Sequence, residues 1–204
     1  TVFGLLTRLG VEVIDMGVVK DEPAALEAAF RQAAREADAI ITSGGVSMGE
    51  ADHTKAMMKQ LGDVAFWRVA MRPGRPMAVG RITEAGKSAL LFGLPGNPVA
   101  VMVTFLAFVR PALQRLMGGT ASPPVLLQAR SAEALRKKPG RTEYQRGIVQ
   151  REPDGSLSVR TTGNQGSGVL RSMVEANGLI VLHHGQGSVA VGDAVDVMMF
   201  DGVV

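Results

Sequence analysis

The sequence predicts an α/β protein in which a doubly wound, mostly parallel sheet is followed by a small all-β domain. Two observations predict this fold class. As far as residue 117, apolar runs typical of strands alternate with helical segments, and parallel neighbours in a sheet need such helical crossovers. Beyond GGTASPP (118–124), short β-like runs are separated by glycine-rich turns. We therefore expect one domain at residues 1–120 and a second at residues 121–204.

Apolar spacing and helix-terminal residues place the elements of the first domain. Gly10 is suited to the end of a helix, and Pro23 and Pro98 are suited to the first turn of one. A doubly wound domain normally opens on a strand, whereas this chain opens on a helix, so we expect the first strand to be missing. The elements expected are helices at 2–9, 23–36, 53–61 and 98–117, and strands at 11–19, 37–44, 64–71, 76–82 and 88–93.

An uncharged run at residues 88–109 has the length of a membrane span, about 20 residues. PGNP (95–98) interrupts this run, and a strand, a turn and a buried helix explain it better. A signal peptide is not visible at the N-terminus. We interpret the protein as soluble and cytoplasmic.

The composition is that of a globular chain with mixed charge. Hydrophobic residues make up 46%, and 22 Lys and Arg residues against 19 Asp and Glu give a formal net charge of +3. This small, dispersed excess argues against a nucleic-acid partner. The sequence contains no cysteine, which excludes a disulfide framework, a thiolate metal site and a cysteine nucleophile.

The segment TSGGVSMGEADHTK (42–55) has the glycines of a phosphate-binding loop without its lysine. Gly44 and Gly45 allow backbone N–H groups to approach an anion, and Ser43 and Ser47 add hydroxyl donors. Glu50 stands where a P-loop needs lysine. The segment is therefore either an unusual anion site or an ordinary glycine-rich turn.

Acidic residues near this loop suggest a bound cation. Asp52, with Glu50, can hold Mg²⁺, which then bridges phosphate oxygens. Asp21 follows a predicted strand and is the natural second carboxylate. The alternative is that Asp21 and Asp52 are ordinary helix caps.

Two further loops are candidates for ligand contact. RVAMRPGRP (68–76) contains Arg68, Arg72 and Arg75 without an acid, and arginine forks suit tetrahedral oxyanions. The alternative is a solvated basic turn. GLPGNPV (93–99) can turn its backbone toward a ligand, although ordinary turn chemistry also explains it. The residues of this second loop are Pro95, Gly96, Asn97 and Pro98.

Together, TSGGVSMGEADHTK, MRPGRPMAVG and LFGLPGNPVAV resemble the signature of the molybdopterin molybdenumtransferases, the molybdenum-insertion enzymes that include the E domain of gephyrin. The resemblance runs from GVEVIDMGVVKDEP through GRTEYQRG to TTGNQGSG and covers nearly the whole chain. It implies a molybdopterin-binding α/β domain at residues 1–120 and the family's small C-terminal β domain at residues 121–204.

The resemblance also implies a reaction, which is Mg²⁺-dependent insertion of molybdate into adenylylated molybdopterin with release of AMP. Asp21 and Asp52 match the family's functional acids, and we expect them to be catalytic and to hold the metal. Arg146 in YQRG and Ser167 in NQGS match residues assigned to the active-site cleft or the oxyanion site. The residues expected to bind substrate are Ser43, Gly44, Gly45, Ser47, Glu50, Arg68, Arg72, Arg75, Pro95, Gly96, Asn97, Pro98, Arg146 and Ser167.

The chain departs from the family pattern at several points. Arginine stands at 68, 72 and 75 where the family usually has lysine, which can shift oxyanion affinity in either direction. Ala100 stands where relatives often have serine. The family's T-G-D-E-L strand lies upstream, as do the domains that mediate dimerisation. The resemblance thus implies a homodimeric full-length protein, and this chain alone can bind ligand without being active.

Two other functions compete with the transferase. A non-catalytic scaffold would keep the pterin-binding loops without turnover. A generic NTPase or dehydrogenase is disfavoured, because the sequence contains neither G-x-G-x-x-G nor a complete P-loop.

Overall fold

A computed structural model describes residues 1–46, 53–120, 123–166 and 168–200. The chain divides into two compact units. The first consists of Thr1–Val69 and Gly74–Gly119, and the second of Ala70–Pro73 and Thr120–Val204. A short segment from the arginine-containing loop therefore belongs to the second unit.

The elements are numbered here in chain order. The helices are α1 (Val2–Leu9), α2 (Pro23–Glu36), α3 (His53–Leu61), α4 (Pro98–Thr104), α5 (Arg110–Leu116) and α6 (Arg171–Glu175), with a π-helical segment at Phe105–Val109. The strands are β1 (Ala39–Ser43), β2 (Gly62–Arg68), β3 (Met71–Arg72), β4 (Pro76–Glu84), β5 (Lys87–Leu94), β6 (Leu127–Ser131), β7 (Thr142–Arg151), β8 (Leu157–Thr161), β9 (Gly178–Leu182) and β10 (Ala194–Met199).

The helices of the first unit have the predicted bounds. The helix α1 ends at Gly10, whose φ of 78° is left-handed, and α2 begins at Pro23. The predicted helix at 98–117 is also confirmed, with a π-helical segment in its middle. Pro111 lies just beyond that segment, and a proline has no N–H to continue the regular ladder. Each of these helix ends is therefore set by the residue that lies at it.

The Pro98–Leu116 helix has the length and apolar composition of a membrane-crossing segment. However, 50% of its most apolar window is buried inside the protein. Core helices of soluble proteins have the same length and composition, so these two properties are only weak evidence that the helix spans a membrane.

The sheet of the first unit is mixed, and the prediction of a doubly wound, mostly parallel sheet is not confirmed. Its strand order is β1-β5-β4-β2, in which β1 and β5 are parallel and the other two pairs are antiparallel. Ala85 and Gly86, with φ values of 49° and 80°, connect β4 to β5. Positive φ at both residues is typical of a two-residue hairpin turn, which joins antiparallel neighbours without a helical crossover.

The predicted strand at residues 11–19 is wrong, because these residues form no regular secondary structure. A strand needs a neighbour for its backbone N–H and C=O groups. Among the described residues, none forms a ladder with this segment. The alternating sequence was therefore insufficient to form a strand in this chain.

The sheet of the first unit carries its main described core on the face covered by α2 and α3. Leu26 and Phe30 of α2 and Met58 of α3 pack there with Ile82 and Leu91 of the sheet. The side chains before and after Leu91 in β5 point to the other face of the sheet, because successive side chains of a strand alternate between its two faces. This packing holds β1 and β5 side by side, and their carboxyl ends carry the first candidate site.

The described residues of the second unit form a closed β-barrel and one short helix. Its strands follow the order β7-β8-β6-β10-β9, and pairing of β9 with β7 closes the ring. The strand β7 pairs with β9 along its first half and with β8 along its second half, and Gly147 has a partner on both sides. The core contains Val149, Val159, Ile180 and Val197. The expected all-β domain is thus a barrel, to which β3 adds by pairing with β7.

Candidate functional site

Two of the predicted loops meet at the carboxyl ends of β1 and β5. The N–H group of Gly44 donates a hydrogen bond to the Leu94 carbonyl at 3.0 Å. A Cβ atom built on Gly96 would lie 3.7 Å from the Gly44 Cα. Because β1 and β5 are parallel, both loops leave the sheet at the same edge, where ligands of α/β proteins commonly bind.

The glycine turn requires glycine for two different reasons. Gly44 and Gly45 have φ values of 95° and 68°, which other residues rarely adopt. A Cβ on Gly45 would also lie 2.5 Å from Thr54 Cγ2, whereas one on Gly44 would meet no atom of a described residue within 4 Å. Thr54 therefore fills the side of the turn at Gly45, and no described residue fills the side at Gly44.

Thr54 links the glycine turn to Asp21. Its Oγ1 hydroxyl donates a long hydrogen bond, 3.4 Å, to Oδ1 of Asp21. Asp21 is exposed, and the N-cap of α2 is the next residue, Glu22. Asp21 therefore contacts Thr54 beside the glycine turn, and it is not the N-cap of α2. Sequence reasoning missed Thr54, although it lies within the segment TSGGVSMGEADHTK.

The second carboxylate of the predicted cation pair lies outside the described residues, as do Ser47 and Glu50. Within the described ranges there is no group of three His, Asp or Glu side chains that could hold a metal ion. The Asp21 carboxylate and the Thr54 hydroxyl are hard oxygen donors. They fit Mg²⁺, which commonly uses one or two carboxylates and keeps several waters.

The cap of α4 explains part of the PGNP turn. The Asn97 Oδ1 atom accepts hydrogen bonds from the N–H groups of Val99 at 3.1 Å and Ala100 at 3.2 Å. Pro98 occupies the first helical position, and Pro95 is buried. Asn97 is thus the N-cap of α4, and its predicted contact with a ligand stays a prediction.

The three arginines of the second loop are distributed over both units. Arg72 lies in β3, opposite Glu143 of β7 in the second unit. Arg68 and Arg75 belong to the first unit at the connection of β2 to β4, where the Val69 N–H donates to the Arg75 carbonyl at 2.9 Å. The loop therefore does not present its arginines as one cluster on one unit.

Arg146 and Arg72 form a positively charged site in the second unit. The Arg146 side chain is only 1% exposed. Burial lowers the pKa of the Arg146 guanidinium below its ordinary value, and the charge of Arg72 lowers it further. Its described hydrogen bonds are to Ser172 Oγ at 2.9 Å and to the Gly166 carbonyl at 3.0 Å. A desolvated cation beside a like charge favours binding of an anion. Ser167 lies outside the described residues.

A cavity of about 1800 Å³ adjoins the glycine turn in the first unit. Asp21, Ser43, Gly44 and Thr54 line it where the turn leaves β1. Most of the remaining lining is apolar and comes from α1, α2, α5, β1 and the segment 11–19. The cavity thus extends from the candidate site along β1.

Sequence comparison identifies the family. The profile of the probable molybdopterin binding domain matches residues 1–115, and that of the MoeA C-terminal region (domain IV) matches residues 128–200. The chain belongs to the molybdopterin molybdenumtransferase family.

Individual members of the molybdopterin molybdenumtransferase family match nearly the whole chain. The molybdopterin molybdenumtransferase of Haemophilus influenzae is 41% identical over 202 residues, which are 98% of this chain and 49% of that protein. Gephyrin of Dictyostelium discoideum is 32% identical over 203 residues, covering 90% of this chain and 28% of gephyrin. The chain therefore spans about half the length of the bacterial relative.

A solved structure of a molybdenum cofactor biosynthesis protein from Pyrococcus furiosus has the same fold, with a TM-score of 0.72 and 26% identity. The match covers 97% of this chain and 62% of that chain. The structural likeness and the sequence profiles agree on the molybdopterin molybdenumtransferase family.

Proposed function

We propose that this protein inserts molybdate into adenylylated molybdopterin, a reaction in which the adenylyl phosphoanhydride is cleaved and AMP is released. One observation carries the proposal. Asp21, Thr54 and the Gly44–Gly45 turn meet where β1 and β5 end, beside a large cavity. Family membership supplies the class of substrate, because the matching profile is that of a molybdopterin binding domain.

The glycine turn is proposed to hold the phosphates of the substrate. The Gly44 N–H is occupied by the Leu94 carbonyl, so the donor proposed to face the anion is the N–H of Gly45, which lies in a left-handed turn conformation. Asp21 and Asp52 would hold Mg²⁺, which when bound neutralises phosphate charge. Thr54 orients the Asp21 carboxylate toward the turn through its hydroxyl. In this proposal the protein acts mainly by positioning and charge compensation, as is general in phosphoryl chemistry.

The arginines are proposed to bind the incoming molybdate. Arg146 and Arg72 support this role. The Arg146 guanidinium is buried beside the positive charge of Arg72, and its hydrogen-bond acceptors among the described residues are neutral, so no described carboxylate compensates its charge. A tetrahedral oxyanion would supply that negative charge and accept the guanidinium hydrogen bonds. A role of Arg68 and Arg75 in oxyanion binding stays a prediction from the sequence.

The proposed reaction is tested by measuring AMP release from adenylylated molybdopterin with molybdate and Mg²⁺, using the full-length protein. Asp21→Asn keeps the shape of the side chain and removes its charge, and we expect a loss of about 100-fold in kcat/KM. Asp38→Asn is the matched control, since Asp38 is an exposed aspartate whose ion pair is with Lys87 at 3.9 Å. Equal activity of both variants would remove Asp21 from the mechanism.

The same experiment separates the enzyme from a non-catalytic scaffold. Asp52→Ala removes the second proposed carboxylate. A scaffold would bind molybdopterin in titration calorimetry with and without this substitution and would release no AMP. An enzyme would release AMP, and the substitution would abolish that release.

We also propose that the first unit takes one more β-strand, not among residues 1–204, along the free edge of β1. The Leu90 N–H donates to the Asp38 carbonyl, and the Gly44 N–H donates to the Leu94 carbonyl. In a parallel pair, alternate residues bond the same neighbour, so even-numbered residues of β1 face β5. The backbone groups of Ala39, Ile41 and Ser43 therefore face the opposite edge, where no described strand pairs with them.

The cavity beside β1 has room for one strand. Five residues at about 3.3 Å each, with a strand spacing of about 4.8 Å and about 10 Å between packed layers, occupy roughly 800 Å³. The cavity measures about 1800 Å³ and has lining residues from α2 and α5 as well as from β1. Residues 11–19 line it too, and they have the alternating pattern of a strand without a described partner.

Amide hydrogen exchange tests this additional strand. In the 204-residue chain, we expect fast exchange at Ile41 and Ser43 and slow exchange at Ile40 and Thr42, which bond β5. Extending the chain with the residues that precede Thr1 in the full-length protein should slow exchange at Ile41 and Ser43, as at Ala39, which faces the same edge. Unchanged exchange at these two amides would contradict the proposed strand.

A further inference from the structure

Arg146 is buried although it lies on the outer face of the barrel. Along β7, Val149 belongs to the barrel core, and a Cβ on Gly147 would contact the core residues Ile180 and Val159. Side chains alternate along a strand, so Arg146 points away from that core. An arginine there is ordinarily exposed, yet Arg146 is 1% exposed.

The described part of the connection between β8 and β9, residues 162–166 and 168–177, holds Arg146 through hydrogen bonds. It contains Gly166, whose carbonyl accepts from Arg146 Nη2 at 3.0 Å, and Ser172, whose Oγ accepts from Arg146 Nε at 2.9 Å. The same connection contains Gln165. Its Oε1 accepts from the Arg146 N–H at 2.7 Å, and its Nε2 donates to the Arg146 carbonyl at 3.1 Å. Both the backbone and the side chain of Arg146 are thus held by one segment.

Ser172 is the side chain in this segment that fixes the guanidinium itself. Its hydroxyl donates to the Val169 carbonyl at 2.5 Å while it accepts from Arg146 Nε. The hydroxyl proton is therefore committed, and an oxygen lone pair is directed at the guanidinium. Ser172 is 2% exposed, so water cannot readily replace its hydroxyl.

The contacts of Arg146 orient its charge without neutralising it. A serine hydroxyl and a peptide carbonyl are both neutral acceptors. The Nη1 group has no hydrogen bond to a described residue, whereas Nε and Nη2 are occupied. A guanidinium that is fixed in this way, with one nitrogen not bonded to any described residue, can donate to an oxyanion from a defined direction. Such preorganisation increases affinity, because less freedom is lost on binding.

We infer that Ser172 is a positioning residue that aims the Arg146 guanidinium at the molybdate oxyanion. This inference rests on the proposed function. It assigns Ser172 no contact with substrate, because its hydroxyl is already occupied by Arg146 and Val169. Its effect on the reaction is exerted through Arg146.

Ser172→Ala in the full-length protein tests the inference. Removing one hydrogen bond to a charged group should raise the KM for molybdate about tenfold. We expect kcat and the KM for adenylylated molybdopterin to stay within about twofold of the wild-type values. A general structural defect would instead change all three constants. Titration calorimetry with molybdate alone should show the same rise of about tenfold in Kd.

Ser131→Ala is the matched control. Ser131 lies in β6 of the same barrel, is 1% exposed, and donates to the nearby Glu133 carbonyl at 2.7 Å. Removing its hydroxyl takes away a buried hydrogen bond of the same kind without touching Arg146. We expect Ser131→Ala to leave the KM and Kd for molybdate unchanged.

The outcomes separate this inference from the proposed function. A wild-type protein that binds molybdate but releases no AMP contradicts the proposed function, while the Kd of Ser172→Ala still decides the role of Ser172. A wild-type value in Ser172→Ala, or an equal rise in Ser131→Ala, overturns the inference. Absence of molybdate binding by the wild type overturns both. If Ser172→Ala does not fold, Ser172→Cys keeps the shape with a weaker acceptor, and an unchanged Kd in that variant overturns the inference.

Discussion

Asn97→Ala tests how the PGNP turn supports the first unit. Asn97 satisfies the whole first turn of α4. Its side chain accepts from the N–H groups of Val99 and Ala100, and its carbonyl accepts from Val101 at 2.9 Å. Pro98 has no N–H group. The substitution therefore leaves two amides without their acceptor, at residues that are 0% and 5% exposed.

The expected loss of stability follows from this geometry. Removing an N-cap side chain costs about 0.5–2 kcal/mol, and the burial of both amides places this site at the upper end, about 2 kcal/mol. With a urea slope of about 2 kcal/mol per molar, the unfolding midpoint should fall by about 1 M. Trp67, the single tryptophan of the chain, lies in β2 of the same unit and reports its unfolding by fluorescence.

A series of substitutions at Asn97 distinguishes the cap from other causes. Asn97→Ser keeps an acceptor and should lose little stability, and Asn97→Gly should lose a few tenths of a kcal/mol. If Asn97→Ala loses no more than Asn97→Gly, the capping argument is wrong. A Ser variant with wild-type stability but impaired AMP release would show that Asn97 also contacts the ligand.

Three other perturbations have defined expected results. Gly147→Ala places a methyl group 2.9 Å from Ile180 Cγ1 and should destabilise the barrel by about 1–3 kcal/mol in urea unfolding. Burial raises the pKa of Tyr144, the only tyrosine, so its absorbance titration should lie above the ordinary range. Unfolded chains then ionise first, and stability should decline as pH rises through the ordinary tyrosine pKa. Thr42→Val removes a buried hydroxyl oxygen without a described partner and should stabilise the chain by about 1 kcal/mol.

Each of these three predictions has a control. Gly185→Ala adds a methyl group with no atom within 4 Å and should leave stability unchanged. Ile180→Ala removes the crowding Cγ1 atom, so the double variant with Gly147→Ala should lose less stability than the sum of the two single losses, and additive losses would contradict steric crowding as the cause. Tyr144→Phe should remove the alkaline decline if phenol ionisation causes it. A loss of stability in Thr42→Val would indicate that the hydroxyl has a partner.

The sequence predicted the helices of the first unit closely, because their signals are local. Gly10 ends α1 through its own left-handed conformation, and Pro23 begins α2 through its fixed φ and missing N–H. The adjacency of the glycine turn and the PGNP turn also agrees with the expectation that loops converge at strand ends. These features depend on a few residues at a time.

Strand pairing was predicted less well, because it depends on distant partners. The segment 11–19 alternates as a strand does but has no described neighbour to pair with. The hairpin at Ala85 and Gly86 makes β4 and β5 antiparallel, and its Ala-Gly pair lacks the asparagine or aspartate that commonly marks such a turn. Asp52 lies outside the described residues, so the cation pair with Asp21 stays a prediction.

By itself, the sequence determined the family, the helix ends and the residue types available to the candidate site, since motifs and caps are properties of short segments. Only the tertiary structure decided which strands pair, that Thr54 joins Asp21 to the glycine turn, and that Ser172 holds Arg146. Thr54 and Asp21 are 33 residues apart, and Ser172 and Arg146 are 26 apart. Contacts over such separations arise from packing of the whole unit, and no local spacing rule encodes them.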